Sequence, residues 1–169
     1  MKTSILVILV ALTASAANAQ INRGAWLLGA SSTLSFNSYS YKGSPDVSIF
    51  NASIKGGYFV VKNLAFGLNL GYTSISESGS QTVTTIGAFS RYYLPKNFFF
   101  GAGVNSLTSS YNNHSTNMTS VPLEAGIAAF ITKNIAIEPS INYVIGDNKT
   151  GPASTFGVNV GFSIYLNRE

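Results

Sequence analysis

Between residues 65 and 73 the chain alternates at every position between a large apolar side chain and a small or polar one. Phe66, Leu68, Leu70 and Tyr72 stand against Ala65, Gly67, Asn69, Gly71 and Thr73. Only an extended strand sends successive side chains to opposite faces, so this segment is expected to be a strand with one oily and one polar face. The same parity recurs near the start, where Trp26, Leu28, Ala30, Ser32, Leu34 and Phe36 alternate with Ala25, Leu27, Gly29, Ser31, Thr33 and Ser35. It recurs at the end, with Phe156, Val158, Val160, Phe162, Ile164 and Leu166 against Gly157, Asn159, Gly161, Ser163 and Tyr165. Between these lie strand candidates over residues 48–61, 82–94, 98–108, 120–131 and 135–144, which brings the count to eight.

The connections alternate in length. Three junctions carry the same dipeptide, Lys62-Asn63, Lys96-Asn97 and Lys133-Asn134, each between aromatic or branched residues, and are predicted to be tight hairpin turns. The other connections, over 37–47, 74–81, 109–119 and 146–154, are longer and polar and are predicted to be loops. Short and long ends in alternation describe an up-and-down array of hairpins.

Which face meets which solvent follows from the charge. Asp, Glu, Lys and Arg make up 9% of the chain, against about 25% in soluble domains. A soluble ligand-binding barrel such as a lipocalin would turn the oily face inward and leave Gly, Ser, Asn and Thr, with few charges, as its outer surface. A lipid-facing barrel needs the reverse, with apolar groups exposed at every second position. The fold expected is therefore all-β: an eight-stranded antiparallel up-and-down transmembrane β-barrel. Outer-membrane barrels place short turns in the periplasm and long loops outside, so with an even strand number both termini are expected to be periplasmic. The formal charge of +4 includes Lys2, and no cluster or stripe of Lys and Arg marks a nucleic-acid partner.

The N-terminus reads as a secretory signal peptide over residues 1–19. Lys2 precedes an apolar run from Ile5 to Leu12, and Ala17-Asn18-Ala19 forms a small-residue cleavage site before Gln20. The run is about half of the roughly 20 residues that a spanning helix needs. The domain then occupies residues 20–169.

The run from Gly57 to Gly67, Arg91-Tyr92-Tyr93, Glu124-Ala125-Gly126 and Ala136-Ile137-Glu138-Pro139 resembles the outer-membrane β-barrel domain family of small bacterial surface proteins, OmpA- and OmpX-like and often labelled porin-like. The resemblance covers essentially the whole chain after the signal segment. It implies outer-membrane lipid and lipopolysaccharide as surroundings and the barrel assembly machinery as a partner during biogenesis. Asn159, Gly161, Ile164 and Leu166 match the polar-x-Gly-x-x-apolar-x-apolar pattern by which that machinery recognises a last strand. Many such proteins end on an aromatic residue, whereas Asn167-Arg168-Glu169 follow here. The peptidoglycan-binding domain of longer OmpA-type proteins is not expected.

On the strand parity, Lys55, Arg91, Glu124 and Glu138 all fall on the inner face, two of each sign. An ionisable group facing lipid is costly, so these four are expected to pair inside the barrel. An eight-stranded barrel is about wide enough to be filled by side chains, which favours a packed polar core over an ion path. Phe59, Tyr93, Phe99 and Phe130 share the inner parity near the short turns and are expected to close that end.

Chemistry has few residues to work with. His114 is the single histidine and falls within a predicted polar loop, and there is no cysteine, so no metal site has recognisable spacing and no cofactor is expected. The function expected is a non-enzymatic, monomeric scaffold whose loops make surface contacts. A narrow pore for water or small ions, and an enzyme modifying lipid A, are the alternatives.

Overall fold

A computed structural model describes residues 21–30, 35–39, 47–76, 80–111, 114–148 and 151–167. Within them the alternating segments form ten strands: β1 Trp26–Ala30, β2 Ser35–Tyr39, β3 Val47–Val61, β4 Leu64–Ser76, β5 Ser80–Tyr93, β6 Phe98–Tyr111, β7 His114–Ile127, β8 Ala129–Phe130, β9 Ile135–Asn148 and β10 Gly151–Leu166. β1 and β2 both lie along β3, and β7 and β8 both lie along β9, so the ten segments form eight staves. All pairings are antiparallel. The sheet closes because β1 pairs on both sides, Trp26 opposite Tyr58 of β3 and opposite Leu166 of β10. The one helical element among the described residues is a single 3₁₀ turn, Pro95–Asn97.

The parity read from the sequence is the parity of the wall. On β4, Ala65 is fully buried while Leu68 is 64% exposed, and on β10 Tyr165 is fully buried while Val158 is 72% exposed. Large apolar side chains cover the outer face of every long stave, which in a bilayer is the lipid face.

Two expectations need correction. The long polar loops are shorter than the sequence indicates: β4 continues to Ser76 and β5 resumes at Ser80, β6 continues to Tyr111 and β7 resumes at His114, and β9 continues to Asn148 before β10 begins at Gly151. These strands run 13 to 16 residues, beyond the roughly 9–11 that cross a bilayer. The extra length is a ribbon of Ser, Thr and Asn joined across the strands, as in Thr108–Asn117 at 3.0 Å and Ser110–Ser115 at 2.9 Å. His114 therefore begins a strand opposite Tyr111. The stave made by β7 and β8 also breaks at Ala128, between the two strands, although the Ala128 N–H still donates across to Asn97 O at 2.9 Å.

The three Lys-Asn turns do not share one geometry. Asn63 takes a positive φ of 64°, Lys96 and Asn97 both do, at 64° and 63°, and Lys133-Asn134 does not. In the third turn Thr132 Oγ1 instead accepts the N–H of Ile135 at 3.1 Å. What the turns share is a carbonyl: Asn63 O accepts from Tyr93 N at 2.8 Å, Asn97 O from Ala128 N at 2.9 Å, and Asn134 O from Tyr165 N at 2.6 Å. Each turn thus extends the ladder to its neighbouring stave, and the short-turn end is stitched into a rim.

Candidate functional site

The lumen is layered from the short turns upward. The lowest layer is apolar: Ile21, Leu27, Phe59, Phe99, Ala128 and Ala136 are fully buried, with Tyr93 and Tyr165 among them. Their rings pack obliquely, with Phe59 to Tyr93 at 5.5 Å and Tyr93 to Phe99 at 5.7 Å between centroids, a geometry that aromatic quadrupoles favour. Phe130 is half-buried and lies 4.9 Å from Tyr165. The N-terminal segment closes the floor, because Ile21 N donates to Asn63 Oδ1 at 3.0 Å while Asn63 N donates to Ile21 O at 3.0 Å.

The second layer holds the charges, from four staves. Lys55 on β3 reaches Glu124 on β7 at 3.4 Å; Arg91 on β5 donates to the same Glu124 oxygen at 2.8 Å and to Glu138 Oε2 on β9 at 2.7 Å. The signs alternate along the row, so each carboxylate has a cation in contact. Each of the four also faces a glycine across the ladder: Lys55 opposite Gly29, Arg91 and Glu124 on either side of Gly101, and Glu138 opposite Gly161. Those glycines leave the volume into which long side chains turn toward the barrel axis.

The two layers are joined by hydroxyls. Tyr165 donates to Glu138 Oε1 at 2.5 Å, so its oxygen is free to accept from Tyr93, 2.9 Å away, and Tyr93 in turn accepts from Arg91 Nη1 at 3.2 Å. Arg91 Nη1, the two tyrosine hydroxyls and the Glu138 carboxylate therefore form a closed hydrogen-bonded circuit, while the buried Arg91 Nε has no partner. The Arg91 guanidinium also lies 4.1 Å from the centre of the Phe99 ring. Tyr165 was not among the residues singled out from the sequence. Its signal was there, as the one large side chain on the Gly, Ser and Asn face of the last strand.

Above the charges the lumen opens into a cup of about 310 Å³, lined by Asn51, Asn69, Thr73, Asn105, Asn142 and Asn159 among others. Asn69 donates to Asn105 at 3.1 Å and Thr73 to Asn51 at 2.8 Å. Such a wall can hold water and small polar solutes. Among the described residues no group of three His, Cys, Asp or Glu could hold a metal, and His114 is exposed on the ribbon beyond the cup.

Of the last-strand pattern, Asn159 and Gly161 face the lumen while Ile164 and Leu166 face outward, 38% and 41% exposed, at the seam with β1. Ala17, Ala19 and Gln20 lie outside the described residues.

Comparison with known proteins adds three findings. The model of a family described as "Outer membrane protein beta-barrel domain" matches residues 4–163. The N-terminal β-barrel domain of OprF from Pseudomonas aeruginosa superposes with a TM-score of 0.53 at 16% identity, covering 85% of this chain and 98% of that one. Neisserial surface protein A, NspA, superposes with a TM-score of 0.53 at 15% identity, covering 84% and 94%. At these identities the likeness is one of fold. No curated protein matches the chain by sequence.

Proposed function

The chain belongs to the outer membrane protein beta-barrel domain family, and from that premise we propose that it is a sealed, non-catalytic scaffold that displays its long-loop end at the cell surface. The observation that carries this reading is the pair of layers across the lumen. An open channel needs a continuous wetted path, and here the apolar floor of Phe59, Tyr93, Phe99 and Tyr165 lies directly beneath the paired charges, all four rings 1% exposed or less. Opening a path would separate Arg91 from Glu138 while both remain buried, which is strongly unfavourable.

In this reading the short turns and both termini are periplasmic, residues 1–19 are removed between Ala19 and Gln20, and the last-strand residues Asn159, Gly161, Ile164 and Leu166 engage the assembly machinery. The barrel works as a monomer among phospholipid and lipopolysaccharide. Its polar ribbons, rigid because they are paired, are the surface for contacts with partners outside. Catalysis has no place in it, since His114 stands exposed opposite Tyr111 and apart from the carboxylates of the lumen.

Single-channel recording of the purified barrel in a planar bilayer tests the reading. A silent membrane with folded protein present is the expected result. Discrete, reproducible conductance steps would replace the scaffold by a narrow pore.

A further inference from the structure

The outward face between β1, β3 and β4 carries a dent. Pairing sets Leu28, Gly56 and Leu68 side by side, and the middle one has no side chain. The resulting groove, about 730 Å³, runs from Ile54 and Leu70 toward the short turns and ends at Trp26, Tyr58 and Phe66. A methyl group at Gly56 would meet only Leu28 Cδ2, at 3.8 Å. The glycine is therefore not demanded by a close approach of backbone.

At the groove's short-turn end Trp26 and Tyr58 stand edge to face, 5.0 Å between centroids, as amphipathic rings do where hydrocarbon meets headgroups. Just beyond them the surface is basic. Lys62 is exposed in the turn that follows β3, and Arg23 is exposed in the segment bonded alongside it, where Gly24 N donates to Phe59 O at 2.9 Å. Lys96 and Lys133 are exposed on the other short turns. Among the described residues no carboxylate is exposed at this end, since Glu124 and Glu138 are drawn into the lumen.

We propose that this face is a binding site for an anionic phospholipid, with one acyl chain lying over Gly56 and the headgroup phosphate between Lys62 and Arg23. A hydrocarbon groove leading to an aromatic rim and then to the exposed cations Lys62 and Arg23 matches that amphiphile part for part. A zwitterionic lipid brings its own cation to the same place and gains less. The site depends on the oily face meeting lipid and is the same whether or not the lumen conducts and whichever side the short turns occupy.

Trp26 is the only tryptophan of the chain, so its fluorescence reports on this groove without engineering. The full barrel is reconstituted in phosphatidylcholine vesicles containing an equal fraction of either brominated phosphatidylglycerol or brominated phosphatidylcholine. Quenching by the brominated phosphatidylglycerol is expected to correspond to enrichment of about fivefold over the bulk bilayer. Arg23→Gln with Lys62→Gln should abolish that preference, and Lys62→Arg should keep it. Gly56→Leu fills the groove with the charges intact and should also abolish it; circular dichroism and gel mobility establish that each variant is folded. Equal quenching by the two lipids in the unaltered barrel, or a preference that survives either the charge removal or the filled groove, would overturn the proposal. Because vesicles present the same lipid on both sides, a negative result here leaves the orientation and conductance questions unaffected.

Discussion

The hydroxyl proton of Tyr165 goes to Glu138, and that assignment orients the whole circuit, since Tyr93 must then donate to Tyr165 and accept from Arg91. Tyr165→Phe removes the middle of the chain and leaves one Glu138 oxygen without that donor. In urea unfolding from lipid vesicles it should cost about 1–3 kcal/mol, whereas Tyr143→Phe, on the lipid face, should change little. Arg91 and Glu138 are coupled more strongly, at 2.7 Å with side-chain exposures of 0% and 4%. Either single change to Gln is expected to cost about 3–5 kcal/mol because it strands the other charge. The double change should cost clearly less than their sum, and additive effects in that cycle would mean that the two groups do not interact in the folded barrel. Sequence parity placed Arg91 and Glu138 on one face, but it could not show Tyr165 reaching Glu138. That contact depends on the stagger between staves, and parity along each strand is silent on stagger.

At the scale of elements, the Lys-Asn repeat shows how one dipeptide serves different turns. Asn63 sits at φ 64°, a region costly for most residues, and its side chain accepts the Ile21 N–H. Asn134 does neither, because Thr132 holds its turn. Asn63→Ala should therefore cost about 1–2 kcal/mol through the left-handed backbone and the lost acceptor together, and Asn134→Ala should be close to neutral in the same unfolding measurement. Equal costs would show that the dipeptide acts through something common to both turns. The alternation of short and long connections was legible because Lys-Asn and its flanking apolar residues punctuate the chain sharply. The strand ends were not, since Ser, Thr and Asn occupy paired ribbons and loops alike once both faces meet water. Residues 109–111 and 114–119 carry no oily parity, yet Gln81 reaches Ser109 at 3.2 Å and Ser110 reaches Ser115 at 2.9 Å.

For the whole molecule, one partition explains the composition, the closure and the lumen. Lipid requires an apolar group at every second position, and a barrel of eight staves leaves an interior that side chains can fill. Few charges are then affordable, and Lys55, Arg91, Glu124 and Glu138 are inside, joined to one another. Leu68 and Asn69 are adjacent in β4 and lie on opposite sides of that partition: Leu68 is 64% exposed to the outside, and Asn69 lines the cup and donates to Asn105. Urea unfolding of Leu68→Arg and Asn69→Arg from the same bilayers tests the partition most directly. Leu68→Arg should lose about 2–4 kcal/mol, the cost of a cation near the bilayer midplane, while Asn69→Arg, with its guanidinium in the water-accessible cup, should lose distinctly less. Equal losses, or a greater loss at Asn69, would mean that the oily face does not meet the lipid.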